Sequence, residues 1–311
     1  MPTPDASVRK SPSRSPSDTP AAARRAPWWP LVLGACFIVA GLLLWHDAAL
    51  NEALFRPVND RGADAPAIWS GLSVAGLGLA AWIYLAAFAQ RHPERVARLL
   101  WLFVVGGIVI NQVKHHFSSP RPLAALGEGH LTVIGEALRT HSMPSGHSAT
   151  AFAVMTLMLI ELGERASAGR PAGSLPSGVA RLGWVTLAVA IALSRLAVGA
   201  HWPGDALFGA GLGMLFAGLA PRAWPVGAMT RFFGRPAGRR AVALVLVVCA
   251  LAIAATPSLF AAVGLLGSKL EKQVSSGYPL AEPLQWALAL VAVAGAWRWW
   301  RAASAADAPT P

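Results

Sequence analysis

Residues 182–220 read LGWVTLAVAIALSRLAVGAHWPGDALFGAGLGMLFAGLA. Two apolar runs, 182–200 and 205–220, frame a short polar hinge, and each approaches the ~20 residues that cross a hydrocarbon core. Arg195 closes the first run well inside it. A cation at that depth is costly and counts as a functional hypothesis by default. His201 and Asp205 stand four residues apart across the Pro203-Gly204 turn. A carboxylate reaching that imidazole would fix its tautomer and favour its charged form. Asp205 also reads as a cap for the helix that follows, and the two jobs are compatible.

The rest of the chain follows the same pattern. Of 311 residues, 55% are hydrophobic and 13% charged, against ~25% charged in an average soluble protein. One soluble core cannot hide that much apolar surface, because single cores stop growing near ~250–300 residues. Disorder, collagen, coiled coil and a disulfide scaffold are excluded for the chain as a whole. The reading is an all-α integral membrane protein, with eight candidate spans at 28–45, 67–90, 99–113, 148–163, 182–200, 205–220, 241–263 and 284–300. Residues 1–27, rich in Pro, Ser, Ala and Arg, read as a disordered basic tail. The first apolar run, Trp28–Trp45, exceeds a usual secretory core and lacks a small-x-small cleavage site after it, so it reads as an uncleaved helix. Residues 301–311 read as a C-terminal tail.

The net charge is +11, from 26 Lys+Arg and 15 Asp+Glu. In a soluble protein this would suggest nucleic acid. Here the basic residues form short blocks between apolar runs, so no nucleic-acid partner is expected. They concentrate in the tail, in 91–98, 164–181 and 221–240, and after residue 298. That excess puts both termini in the cytoplasm and the 114–147 loop outside. Cys36 and Cys249 fall in apolar runs and read as small hydrophobes. Lys114 is the only lysine between residues 11 and 268.

Two further polar clusters reach the same outer face. In Lys114-His115-His116-Phe117-Ser118-Ser119-Pro120-Arg121-Pro122, two cations seven residues apart could clamp an anion, or simply snorkel to headgroups. Pro144-Ser145-Gly146-His147 precedes the apolar run 148–163. Its glycine permits close backbone approach, and the helix N-terminus offers unpaired N–H groups to an anion. Ordinary capping would explain the same residues. Together the clusters supply three cations, two histidines and a carboxylate. That set suits phosphoryl transfer through a histidine, with cations neutralising the transition-state charge, one imidazole attacking phosphorus and the other protonating the departing oxygen.

The ordered set resembles the signature of the type 2 phosphatidic acid phosphatase superfamily, K-x6-RP, then PSGH, then SR-x5-H-x3-D. Lys114, Arg121-Pro122, Pro144–His147, Ser194-Arg195, His201 and Asp205 match it in order and spacing. The resemblance covers about residues 67–220 and implies a six-helix lipid-phosphatase core over 28–220. The spans within 221–300 would be two additional C-terminal transmembrane helices. It implies that His201 is the nucleophile, that Asp205 holds and charges its imidazole, and that His147 is the general acid and then the base. Lys114, Arg121 and Arg195 would bind phosphate oxygens, with Ser145 and the Gly146 backbone. No cofactor and no metal are expected. The substrate would be a membrane lipid phosphate or diphosphate drawn from the bilayer, with undecaprenyl diphosphate first. Phosphatidylglycerol phosphate, phosphatidate and lipid A 1-phosphate follow, and transfer to an acceptor alcohol is a further alternative. The Ala/Arg-rich, Lys-poor composition points to a high-GC bacterium, so the site would face the periplasm from the inner membrane.

His115, His116, His130 and His141 fit no standard zinc-ligand spacing. Gly209-x-x-x-Gly213 allows close helix packing, tryptophans at span ends fit an interfacial belt, and loop 123–143 is a candidate cap over the site. Outside this class, a soluble acid phosphatase or haloperoxidase would share the motifs, and a transporter would share the intramembrane charge. The sequence leaves the oligomeric state open.

Overall fold

The computed structural model describes residues 26–167, 169, 176–254 and 280–307, and every regular element among them is helical. Helix α1 spans Trp29–His46. Asp47 then caps α2 (Ala48–Asn59), its carboxylate accepting the Leu50 N–H at 3.0 Å. The sequence reading had no helix here, because α2 is too short and too polar to be a span. Its logic is amphipathic instead: Asn51, Phe55 and Asn59, one turn apart, form its buried face.

The expected single span over 67–90 is broken. Helix α3 (Pro66–Ala75) and α4 (Gly78–Ala86) meet at 68°. Leu77 between them is extended (φ −65°, ψ 135°), and the two flanking glycines are weak helix formers. Gly76 is also pressed so close to Ile191 that a Cβ would lie 2.5 Å from its Cγ2. The third span is longer than expected. Helix α5 (Pro93–Trp101) runs through a π-helical turn, Leu102–Gly106, into α6 (Gly107–Phe117). A short α7 (Pro122–Leu126) follows, then α8 (Gly146–Ser167), α9 (Ser177–Ala197), α10 (Pro203–Leu219), α11 (Trp224–Gly234), α12 (Pro236–Ala254) and α13 (Ala281–Asp307).

Among the described residues, six helices are long and apolar enough to cross a membrane, or seven with the bent α3–α4 pair counted as one span. Helix α13 is 27 residues long, but Gln285, Arg298 and its tryptophans dilute its apolar stretch. It also continues through 301–307, where a tail was expected. Alanine favours helix there, Arg239 Nη1 donates to the Ala302 carbonyl at 2.7 Å, and Arg240 pairs with Asp307. Residues 1–25, and the 255–263 part of the seventh expected span, lie outside the described residues.

Helix α10 is the axis of the bundle, and glycines let its neighbours approach. A Cβ on Gly211 would lie 2.5 Å from the Gly34 carbonyl of α1, and one on Gly213 would lie 2.1 Å from the Ala149 carbonyl of α8. The Gly209/Gly213 pair is therefore an internal seam. Within a bilayer such contact is driven by packing rather than by expulsion of water. The α13 helix docks on α4: Trp299 is fully buried and its indole N–H donates to the Ala86 carbonyl at 2.8 Å. At the end of the bundle remote from the three motifs, buried Arg95 and Glu161 pair at 2.6 Å and tie α5 to α8.

Candidate active site

The segment that carries His201 is shaped by the end of α9. Gly199 adopts φ +74°, the Ala200 N–H returns to the Arg195 carbonyl (3.0 Å), and the Gly199 N–H to the Leu196 carbonyl (2.9 Å). This is a Schellman turn, for which a left-handed residue is needed. The space demands glycine as well, since a Cβ would lie 2.4 Å from the Thr132 carbonyl. Arg195 therefore stays on the last turn of α9 while His201 turns back over it. Pro203 then starts α10, and Asp205 in its first turn accepts the Trp202 N–H at 2.9 Å. The carboxylate thus caps α10 and faces His201 at once, its Oδ2 lying 3.4 Å from His201 Nδ1.

The other two motifs converge on the same place. Ser118 ends α6 in the left-handed region (φ +44°). Arg121, extended before Pro122 as its position requires, points inward and is 8% exposed. Its Nε donates to the Thr140 carbonyl (2.7 Å), and its Nη1 donates to the Ala200 carbonyl (2.8 Å) and contacts His201 Nε2 at 3.2 Å. Lys114 Nζ donates to the His141 carbonyl at 2.9 Å. Ser145 caps α8, its Oγ accepting the Ser148 N–H at 3.3 Å, and its own N–H donates to the Asp205 carbonyl at 3.0 Å. A Cβ on Gly146 would meet nothing within 4 Å, so the first turn of α8 has open space before it. The imidazole of His147 packs beside Gly76, at the α3–α4 break.

A guanidinium has donors only. Its contact with Nε2 therefore assigns the lone pair to that nitrogen and the proton to Nδ1, facing Asp205. The electrostatics agree. Burial, then the charges of Arg121, Lys114 and Arg195, then that of His147, hold the His201 imidazole well below its usual pKa. That direction runs against the expectation that Asp205 keeps the ring charged. These surroundings favour the neutral ring, with Nε2 against Arg121 and Nδ1 facing Asp205 at 3.4 Å without a hydrogen bond to it.

Several site residues carried no signal in the sequence. Ser142 donates its hydroxyl to Asp205 Oδ2 at 2.5 Å. Ser73, buried on α3, bonds Arg195 Nη1. Asn59 of α2, fully buried, donates to the Thr132 (2.8 Å) and Leu196 (3.1 Å) carbonyls and accepts the Thr132 N–H at 2.8 Å. Asn51 accepts the Gly204 N–H at 3.0 Å. Through these bonds α2 holds both ends of the His201 segment. Loop 123–143 does cover this region: Leu131 packs with Phe55 and Leu196, and the Ile134 N–H donates to the Val198 carbonyl at 3.2 Å. His141 contributes its backbone carbonyl, while its ring lies edge-on to His115 with centroids 5.0 Å apart. Among the described residues, no three His, Cys, Asp or Glu side chains are grouped to hold a metal ion.

Residues 95–228 match the PAP2 superfamily. Lipid A 1-phosphatase of Porphyromonas gingivalis is 32% identical over 120 residues, which is 39% of this chain. The chain thus spans about a fifth of the length of that relative, 21%. The crystal structure of Aquifex aeolicus LpxE aligns with 56% of this chain and 96% of its own, at 24% identity and a TM-score of 0.45.

Proposed function

We propose that this chain, whose residues 95–228 belong to the type 2 phosphatidic acid phosphatase superfamily, is a membrane lipid phosphatase that works through a phosphohistidine. The observation that carries the proposal is the Arg121–His201–Asp205 line. It presents a neutral imidazole with its lone pair on Nε2, ringed by cations.

In this mechanism Lys114, Arg121 and Arg195 hold the non-bridging phosphate oxygens, with the Gly146 N–H and Ser145 at the N-terminus of α8. The Arg121 guanidinium moves from Nε2 to a phosphate oxygen as the substrate arrives. Nε2 attacks phosphorus and the P–O bond to the lipid breaks. The electron pair leaves with the lipid oxygen, which takes a proton from His147. The phosphorylated ring is now cationic, and Asp205 at its Nδ1 compensates that charge. Water then attacks phosphorus while His147 accepts its proton, the N–P bond breaks, and inorganic phosphate departs.

The substrate is a lipid phosphate whose headgroup reaches the helix ends from the bilayer. The segment shared with Lipid A 1-phosphatase favours lipid A 1-phosphate. Undecaprenyl diphosphate, first on the sequence resemblance, is the competing substrate. The distribution of basic residues supports an inner-membrane protein with both termini cytoplasmic and the site periplasmic. The test is phosphate release by detergent-purified protein on lipid A and undecaprenyl diphosphate side by side, with His201→Ala as the blank. Faster release from lipid A supports the assignment. Preference for the diphosphate moves it to carrier-lipid recycling, and no release above the blank from either rejects it.

A further inference from the structure

Lys114, Gly146 and His147 line one end of a cavity of about 510 Å³. Beyond these three, with Asn111 and Thr150 beside them, the wall is mostly apolar, with Trp82, Phe103 and Phe216 among its larger side chains. From Lys114 down to Leu102, also in the wall, the α6 rod descends ~18 Å at ~1.5 Å per residue. Half of a hydrocarbon core is ~15 Å. The cavity is thus about one leaflet deep, with its polar end at the site. It opens sideways, where Phe103 is half exposed and a Cβ on Gly107 would meet nothing within 4 Å. Hydrocarbon fits its mostly apolar lining.

One side of the wall comes from outside the superfamily segment. Ala252 and Ile253 of α12 and Leu288 of α13 line it, while the matched residues end at 228. This side is braced: Gln285 of α13 donates its side-chain amide to the Ile253 carbonyl, and Trp299 fixes α13 to the end of α4. We propose that α12 and α13 are part of the substrate site. With Ala252, Ile253 and Leu288 they wall a cavity that holds one hydrocarbon chain of the lipid phosphate, and so they decide which chain is accepted. This rests on the lipid-phosphatase reading above.

The test uses the full chain in detergent, with phosphatidates of short, medium and long acyl chains and with an aryl phosphate that has no chain. Leu288→Trp, which narrows the wall, is expected to lower the long-to-short ratio of kcat/KM by about tenfold or more, mainly through KM. Leu288→Ala, which widens it, is expected to move the optimum to longer chains, and it keeps the test sound if the tryptophan variant folds poorly. Gly107→Leu, filling the open side, should repeat the narrowing effect. A chain-length ratio unchanged in all three variants, whatever happens to the absolute rates, overturns the inference and leaves the phosphatase standing. No release by the wild-type protein from any of these substrates, nor from lipid A or undecaprenyl diphosphate, overturns both.

Discussion

Replacing Asp205 by asparagine keeps the shape of the side chain and removes its charge. The carboxylate is 1% exposed, and its Oδ2 already accepts from Ser142 and Trp202 while facing His201 Nδ1 at 3.4 Å. In the free protein His201 is neutral, so the amide loses little in the resting state. The cost falls on the step in which Nε2 takes the phosphoryl group and the ring becomes cationic. At that separation, a full charge pair in an effective dielectric near 20 is worth about 5 kcal/mol. The ring charge is shared with the arriving phosphoryl oxygens, so roughly 3–4 kcal/mol is expected, or about 10²- to 10³-fold in rate. The loss should appear in kcat, with KM nearly constant, because the three cations that hold phosphate are untouched. The assay is steady-state phosphate release in detergent, with the thermal midpoint measured in parallel. A kcat within about threefold of wild type in a well-folded Asp205→Asn protein would refute the proposed role of the carboxylate.

The remaining expectations concern neighbouring groups. His201→Ala should abolish phosphate release, whereas His147→Ala should lose less on aryl phosphates, whose leaving oxygens need no proton, than on alkyl ones, the loss of the base for water being common to both; equal losses on aryl and alkyl substrates would count against His147 as the acid. Arg195→Lys should fail to restore full turnover, because an ammonium cannot bond Ser73 and phosphate together as the guanidinium fork does; wild-type kcat in that variant would reject the role. Asn59→Ala removes the side-chain bonds to the Thr132 and Leu196 carbonyls and leaves the Thr132 N–H without its acceptor, at a cost of about 1–3 kcal/mol, so both the thermal midpoint and kcat should fall. The lowered pKa of His201 also makes stability depend on pH. Below its usual value of 6.5 the unfolded chain binds a proton that the folded chain refuses, so the stability present above that value is lost as pH falls. A melting series from neutral to acidic pH should show this, and His201→Gln should flatten it.

The site was legible because its residues are anomalies in their surroundings. Lys114, Arg195 and Asp205 are charges at the ends of apolar runs, where each needs a reason to exist, and Gly199 and Pro203 mark the turn that brings His201 back over α9. The supporting groups had no such contrast. Ser73 and Ser142 are small hydroxyls, common in any helix or loop, and only the fold shows that one meets Arg195 and the other Asp205. Asn51 and Asn59 sit four turns or fewer from a capping aspartate in a segment too polar for a span. Their importance comes from the carbonyl and N–H groups they meet across the bundle. The α3–α4 break carries no signal in hydropathy for a related reason: hydropathy averages over Gly76-Leu77-Gly78, while the close approach of Ile191 to Gly76 joins residues distant in sequence.

The charge on His201 is where the sequence reading and the structure part, and the difference bears on the reaction. Pairing His201 with Asp205 suggests a charged ring if only those two residues are considered. Burial and the three cations proposed to bind phosphate act on the same ring in the opposite direction. A protonated His201 would have no lone pair for phosphorus, so under the proposed mechanism the cations that bind the substrate would also keep the nucleophile ready. Asp205 is then needed twice for different reasons. Before the reaction, in the proposed mechanism, it faces the Nδ1 proton, with Ser142 and Trp202 fixing its own position. After phosphoryl transfer it faces the only new positive charge in the site. Removing Ser142 should therefore loosen the alignment without removing the charge, and Ser142→Ala should cost less in kcat than Asp205→Asn while lowering it in the same assay; a larger loss from the serine variant would place the essential charge elsewhere.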